Sequence, residues 1–251
     1  MDTGFASLRG TVREKDEDSI LLLSEITTKE GKEEARVIAA VADGMGGGDF
    51  GEVASEIAVT AIRNECGSFI LRDRFDLREV QNALKRSFEK ANSEILKYSE
   101  DRGLYMMGTT LTAVFLAGNN LVVGNIGDSR TYVFDSTGGV KFRTRDHSYT
   151  QELVESKQIS EEEAKNDPRR NQLTRALGIE PTCEPDVYLL EAERDESVLL
   201  CCDGLWNSLE IDEIGDAIRS MNPAKQVADS LAEQAERKDG SDNISLVFIR
   251  T

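Results

Sequence analysis

Five acidic groups occur where apolar segments of the sequence begin or end, next to residues that are typical of turns. Asp43 and Asp203 each follow an apolar segment and precede a glycine, and Asp128 stands in Gly-Asp-Ser-Arg after a third. Acids at 16–18 and Asp242 open two further segments. If these strands lie side by side, the carboxylates converge at one edge of the core. Converging carboxylates repel unless cations hold them, and oxygen ligands suit Mg²⁺, Mn²⁺ or Ca²⁺.

The sequence excludes several other kinds of site. It contains a single histidine, His147, so sites built from several His side chains are excluded. The cysteines lack Cys-x-x-Cys spacing, and neighbouring Cys201 and Cys202 would face opposite sides of a strand. We therefore expect reduced, mostly buried thiols at all four positions: Cys66, Cys183, Cys201 and Cys202.

Composition limits the class of protein and its partners. The 251 residues suit one large domain or two small ones, with ample length for a buried core. The net charge of −17 argues against polyanion binding, because phosphate neutralisation needs clustered Lys and Arg. No apolar stretch approaches the roughly 20 residues that span a bilayer, and the N-terminus lacks secretory and myristoylation patterns. We expect a soluble, acidic, cytoplasmic protein without nucleic-acid or membrane partners.

Hydrophobic periodicity predicts the elements that must position the acids. The predicted strands cover 19–24, 36–42, 110–117, 121–126, 130–134, 140–143, 187–190, 197–202 and 244–249. The predicted helices cover 51–64, 76–98, 211–220 and 223–237, with Asp76 as an N-cap and Glu79 completing a capping box. Two hairpins and separate helices favour a mixed α+β protein over repeated β-α-β units. The polar composition of the segment at about 149–170 predicts a surface insertion of short helices.

The acids also belong to an ordered set of motifs. The set comprises Arg13-x-x-x-Glu17-Asp18, Asp43-Gly44-Met45-Gly46-Gly47, Gly108-Thr109-Thr110, Gly127-Asp128-Ser129-Arg130, Asp203-Gly204 and Gly240-x-Asp242-Asn243. In this order the motifs resemble those of the metal-dependent protein phosphatases of the protein phosphatase 2C family. The resemblance extends from about Gly10 to Ile249, and its first Asp-Gly motif is similar to the bacterial and archaeal form.

The resemblance implies a fold and a set of site residues. The family fold is a four-layer α-β-β-α sandwich of two mainly antiparallel sheets flanked by helices, with the metal centre at one end. It implies a single phosphatase domain over 1–251, with the segment at about 149–170 as a mobile flap beside the metals. The implied ligands of two ions are Asp43, which bridges them, the Gly44 carbonyl, Asp203 and Asp242. Glu17 and Asp18 would hold metal-bound waters, and Asp128 with Asp203 would hold a third ion. Arg13 would bind phosphate.

The implied reaction is hydrolysis of phosphoserine or phosphothreonine in proteins by a water activated by Mn²⁺ or Mg²⁺, without a phosphoenzyme intermediate. We expect such a hydrolase to act in signalling and to oppose a serine/threonine kinase. Nothing in the sequence demands more than a monomer, so we expect a monomer. Two residues depart from patterns found in the family. Met45 stands where eukaryotic members often carry a His proposed as general acid, and Asn207 replaces an Asp that some relatives offer to the third metal.

Three alternatives stay open at this point. A dinucleotide-binding enzyme is suggested by Gly46-x-Gly48-x-x-Gly51 with Asp73 further on. A cysteine phosphatase is suggested by the Cys-x5-Arg spacing of Cys66 and Arg72. A catalytically weak member would act as a regulatory phosphopeptide-binding module, although it need not retain Arg13 and the acids.

Overall fold

The computed structural model describes residues 1–29, 32–46, 50–72, 74–104 and 106–251. The strands are β1 (Asp2–Leu8), β2 (Asp18–Lys29), β3 (Lys32–Gly46), β4 (Met107–Thr109), β5 (Leu111–Ala117), β6 (Asn120–Ile126), β7 (Arg130–Phe134), β8 (Val140–Arg143), β9 (Asp186–Glu191), β10 (Ser197–Cys201) and β11 (Ile244–Arg250). The helices are α1 (Gly51–Cys66), α2 (Leu77–Arg102), α3 (Tyr149–Glu155), α4 (Glu161–Asn166), α5 (Asp203–Trp206), α6 (Ile211–Ser220) and α7 (Ala224–Lys238), with a 3₁₀ turn at Gly67–Ile70.

The strands form two sheets, and their paired strands all run antiparallel within the described ranges. One sheet has the order β1-β11-β10-β7-β8, and the other has the order β2-β3-β5-β6-β9 with β4 paired to β3. The two predicted hairpins are present as the pairs β5–β6 and β7–β8. This pattern does not provide the parallel sheet that a dinucleotide-binding fold requires.

Strand β3 shows why the central strands contain continuous apolar runs, such as residues 37–42. Val37, Ala39 and Val41 pack between the two sheets with side chains of β10 and β11. The alternate residues Ile38 and Ala40 point the other way, toward α1 and α2. Successive side chains of a strand face opposite sides of the sheet, so a strand buried on both faces must be apolar throughout.

The helices cover the two outer faces of this sandwich. Helices α1 and α2 pack on the sheet of β2, β3, β5, β6 and β9, whereas α5, α6 and α7 pack on the other sheet. The predicted α+β fold of two antiparallel sheets flanked by helices is therefore confirmed. Cys201 and Cys202 lie in different apolar clusters, one under the helices and one between the sheets, as their alternation predicts.

Element ends follow local chemistry that the sequence indicates only partly. Asp76 caps α2 by accepting a hydrogen bond from Arg78 N, and the predicted capping box with Glu79 is not formed. Helix α2 runs to Arg102 because Gly103 then takes a left-handed conformation at φ 63°, which glycine adopts without steric cost. Strand β1, which the periodicity missed, is an edge strand with only two buried residues, and its backbone is paired with β11.

The polar segment 149–170 lies between β8 and β9 and contains the short helices α3 and α4. Helix α4 has no buried residue, and Ser160 caps it through a capping box with Glu163. Only Thr150 is buried in α3. These helices therefore depend on local capping more than on a shared core.

Gly124 of β6 lies directly under α2 where the helix packs on its sheet. A Cβ atom at Gly124 would lie 2.9 Å from Leu84 Cδ2 and 2.9 Å from Phe88 Cε2. We expect Gly124→Val to lower the free energy of unfolding by about 1–3 kcal/mol through overpacking, measured by denaturant unfolding. Gly67→Ala is the control, because Gly67 is helical at φ −55° and its new Cβ would meet only Leu23 Cδ1 at 3.9 Å. Equal stabilities of the two variants would contradict this packing.

Candidate active site

The acids singled out in the sequence meet at one end of the sandwich. Asp18 and Asp43 face each other across the β2–β3 register. Asp203 starts α5 directly after β10, and Asp242 stands just before β11. The strands do not all lie side by side in one sheet, because β2 and β3 belong to one sheet and β10 and β11 to the other. The acids instead approach one another across the two packed sheets.

The glycine after each aspartate permits this approach. A Cβ atom at Gly44 would lie 2.1 Å from the carbonyl oxygen of Gly51 and 2.5 Å from that of Glu17. A Cβ atom at Gly204 would lie 2.0 Å from the carbonyl oxygen of Asn243. Gly44 lies within β3 and Gly204 within α5, so neither Asp-Gly pair is a turn. Glycine is required at both positions because a neighbouring backbone occupies the space of a side chain.

Threonine hydroxyls fix the backbone of Asp43. Thr110 donates from its N–H to the Asp43 carbonyl at 2.9 Å, and its Oγ1 accepts from the Asp43 N–H at 3.1 Å. Thr109 Oγ1 donates to the same carbonyl at 2.8 Å. Thr110 Oγ1 also lies 2.7 Å from Ser129 Oγ, next to Asp128. The Gly-Thr-Thr motif therefore links the backbone of Asp43 to the turn that carries Asp128.

A second network connects Asp128 to α5. Trp206 Nε1 donates to the Asp128 carbonyl at 3.0 Å. The guanidinium of Arg130 lies 3.5 Å from the centroid of the Trp206 ring and donates two hydrogen bonds to Asp146, at 2.9 and 2.6 Å. This role of Trp206 cannot be inferred from the sequence, because an aromatic residue beside an apolar strand is ordinarily part of the core.

Arg13 reaches the acids from the irregular segment between β1 and β2. Its Nη2 donates to Asp242 Oδ2 at 2.8 Å, while 48% of its side chain stays exposed. Asn207 makes a comparable contact, donating from Nδ2 to Asp203 Oδ2 at 3.3 Å. The N–H of Asn243 donates to the other oxygen of Asp242, Oδ1, at 2.9 Å. Both oxygens of Asp242 and one of Asp203 therefore already have a polar partner.

The remaining carboxylate oxygens are poorly compensated. Both side-chain oxygens of Asp18 and Oδ1 of Asp203 are buried without a hydrogen-bond partner. Burial raises the pKa of Asp18 to about 8, and burial together with the charge of Asp242 raises the pKa of Asp203 to about 6. Burial and repulsion from neighbouring acids also raise the pKa values of Asp43 and Asp128 well above their ordinary range. The site therefore disfavours its own negative charge.

Such a donor set fits divalent cations. Buried carboxylates that repel each other and lack partners are stabilised when a cation shares their oxygens. In the described ranges, no three His, Cys, Asp or Glu side chains already have the arrangement of a metal site. This agrees with the contacts above, because Arg13 and Asn207 hold oxygens that a cation would otherwise take. The acids therefore supply the oxygen donors that a divalent cation prefers.

Other candidates from the sequence do not join the acids. His147 Nδ1 accepts from Gly127 N at 3.2 Å, and its Nε2 lies 3.2 Å from Asp186 Oδ2 without forming a hydrogen bond. Burial raises the pKa of Cys66 to about 12, so this thiol is not the reactive thiolate of a cysteine phosphatase. The dinucleotide hypothesis depends partly on Gly48 and Asp73, which lie outside the described residues, as does Gly47.

Comparisons with known proteins agree on one family. The family model Protein phosphatase 2C matches residues 2–244. The chain is 34% identical over 253 residues to the serine/threonine phosphatase stp of Listeria monocytogenes, covering 99% of this chain and 95% of that protein. It superposes with a TM-score of 0.87 on the S. agalactiae serine/threonine phosphatase, at 28% identity, covering 100% of this chain and 99% of that chain. The catalytic domain of the phosphatase PstP, solved with two manganese ions, has a TM-score of 0.80 at 34% identity, covering 98% and 96%.

Carboxylate repulsion predicts how the stability of the metal-free protein depends on pH. The pKa of Asp43 is raised in the folded protein. Its contribution to the free energy of unfolding is therefore complete below the ordinary pKa of 3.8 and is lost as pH rises through the folded-state pKa. In EDTA we expect Asp43→Asn to be more stable than wild type at pH 8, by about 1–2 kcal/mol, and equal to it near pH 4. Mn²⁺ should stabilise the wild type more than the variant.

Denaturant unfolding at several pH values provides this measurement. Asp101→Asn is the matched control, because Asp101 is exposed near the end of α2 and should give the wild-type pH dependence. A pH dependence of Asp43→Asn that is indistinguishable from wild type would show that the acids do not repel one another in the folded protein.

Proposed function

The chain belongs to the protein phosphatase 2C family, and we propose that its clustered acids and Arg13 form the catalytic centre. The protein is a metal-dependent serine/threonine protein phosphatase. The observation that carries the assignment of residues is the convergence of buried, uncompensated carboxylates from both sheets at one end of the sandwich. We assign the ligands of two Mn²⁺ or Mg²⁺ ions to Asp43, the Gly44 carbonyl, Asp203 and Asp242. A third ion would be held by Asp128 with Asp203. Glu17 and Asp18 would hold waters bound to the ions.

Divalent ions held there would activate water at neutral pH and neutralise charge on the phosphoryl group. The chain itself supplies rigid acids, since Asp43 is fixed by Thr109 and Thr110. Arg13 supplies a planar guanidinium whose donors match two phosphate oxygens. It is half exposed at the site and donates to Asp242, so a phosphate can replace that partner. Met45 has no titratable proton and does not act as a general acid.

We further propose that the segment 149–170 is a flap of a single phosphatase domain spanning 1–251. Arg170, its last residue, and the adjoining Asn171 line the same small cavity as Asp203 and Asp242. The segment bears short, exposed helices, so it can change position without disturbing the packed sheets. A bound phosphoprotein would contact it beside the phosphate.

The proposed partners follow from charge and from the state of the cysteines. The substrates are phosphoproteins, and we propose that the enzyme opposes a serine/threonine kinase as a monomer. All four cysteines are free thiols, which is typical of a reducing compartment and supports a cytoplasmic location. The net charge of −17 disfavours nucleic acid. Each helix of the described ranges is too short or too polar to span a bilayer.

The proposed centre predicts that phosphatase activity depends on both sheets. With Mn²⁺ and a phosphothreonine peptide, we expect Asp43→Ala and Asp203→Ala each to lose at least about 100-fold in kcat/KM, because even residues that only orient metal ligands cost about 10–100-fold. EDTA should abolish the wild-type activity, and Asp101→Ala should behave as wild type. Activity that survives EDTA, or peptide binding without turnover, would favour the alternatives of metal-free chemistry or a regulatory binding module.

Arg13 should affect phosphate binding. We expect Arg13→Ala to raise KM for the peptide and the inhibition constant of inorganic phosphate by about tenfold or more, because a charge-assisted hydrogen bond contributes about 1.5–3 kcal/mol. Arg9→Ala removes the same charge from the same exposed segment and should leave both constants unchanged. Equal effects of the two substitutions would indicate a general electrostatic contribution instead of a phosphate ligand.

A further inference from the structure

Asn243 is a buried amide whose side chain contacts the segment that carries Arg13. Its Nδ2 donates to the carbonyl oxygens of Arg9 and Lys15, each at 2.9 Å. Its Oδ1 accepts from the N–H of Glu17 at 2.9 Å. The residue is 5% exposed. One side chain from the start of β11 therefore fixes three backbone points of the segment between β1 and β2, more than 200 positions earlier in the sequence.

This segment needs such support because it has no regular structure of its own. Residues 9–17 form neither helix nor strand, and the side chains from 11 to 15 are exposed. Further contacts at its two ends are Thr11 N–H to the Gly240 carbonyl at 2.8 Å, and Gly44 N–H and Ser55 Oγ to the Glu17 carbonyl at 3.2 and 2.7 Å. An exposed segment without secondary structure loses conformational freedom when it is held in one arrangement, so an anchored path is needed to aim Arg13.

The backbone of the segment also passes very close to the acids. A Cβ atom at Gly10 would lie 2.3 Å from the carbonyl oxygen of Asp242, and Gly10 has a φ of +74°. The N–H of Asn243 meanwhile donates to Asp242 Oδ1 at 2.9 Å. Asn243 thus holds Asp242 through its backbone and the Arg13 segment through its side chain, and it sets the distance between these two groups.

We propose that Asn243 is a positioning residue for substrate phosphate, acting by holding the segment 9–17 so that Arg13 points into the site. The inference rests on the proposed function only where it names phosphate as the ligand of Arg13. An amide is suited to this task because it offers two donors and an acceptor at once. A carboxylate or an aliphatic side chain of the same size would leave at least two of the three backbone groups without a partner.

The anchoring is measured first in the metal-free protein, by hydrogen–deuterium exchange. In Asn243→Ala we expect faster exchange of the Glu17 amide and of its neighbours in 9–18, by about tenfold or more. Asn92→Ala is the matched control. Asn92 is likewise a buried asparagine, bonded from Oδ1 to Gly178 N–H at 2.7 Å and from Nδ2 to the Glu180 carbonyl at 2.9 Å. It should affect exchange near Gly178 and leave 9–18 unchanged.

The link to phosphate is measured by a double-mutant cycle at saturating Mn²⁺. We expect Asn243→Ala to raise the peptide KM and the inhibition constant of inorganic phosphate by about tenfold, with a smaller change in kcat. In the Arg13→Ala background the same substitution should add less than about twofold, because the group that it positions is gone. If Asn243→Ala does not fold, Asn243→Asp replaces it, since the isosteric acid keeps the acceptor for Glu17 and loses both donors.

The two experiments distinguish failure of the positioning role from failure of the proposed function. Losses that multiply in the double variant, or a wild-type exchange rate in 9–18, would overturn the positioning role of Asn243. An inactive wild type with the expected exchange pattern would instead contradict the proposed function while leaving the anchoring intact. Asn92→Ala with unchanged KM and phosphate inhibition shows that loss of a buried asparagine alone does not produce the effect.

Discussion

Repulsion among carboxylates at the end of the sandwich is the interaction on which the account of this protein depends. Asp43 experiences the charges of Asp18, Asp203, Asp128 and Asp242, and its own carboxylate is desolvated. Burial of so many like charges destabilises a folded protein unless cations or hydrogen bonds compensate for it. The contacts of Arg13 and Asn207 compensate only in part. The negative charge that stays uncompensated supports our proposal that these acids bind divalent metal.

The rest of the fold keeps these acids close in spite of their repulsion. Two sheets packed on a shared apolar layer bring the ends of β3 and β10 together. Gly44 and Gly204 let adjacent backbones approach more closely than any side chain would allow. Packed interiors do not deform easily, so the acids cannot separate to relieve their repulsion. Arg13, by contrast, lies on an irregular segment and depends on a few hydrogen bonds for its position.

Much of this arrangement could be predicted from the sequence. The apolar segments gave most strands, both hairpins and helix α6 with the observed bounds, because strong periodicity reflects burial. The edge strand β1 and the short strand β4 were missed, since pairing with β11 and β3 defines them more than their own residues do. The acids themselves were identified, but their division between two sheets was not, because periodicity carries no information on which strands pair. The contacts of Asn243 likewise could not be predicted from the sequence, since its hydrogen-bond partners lie more than 200 residues earlier in the chain.

Counting bound ions is the most direct test of the central claim that acids from both sheets share cations. Calorimetric titration of the wild type with Mn²⁺ should give two tight ions per chain, the number present in the PstP catalytic domain. Asp43→Ala and Asp203→Ala, one from each sheet, should both lose tight binding, while Asp101→Ala keeps it. A wild type that binds no Mn²⁺, or two variants that bind it as the wild type does, would contradict the account.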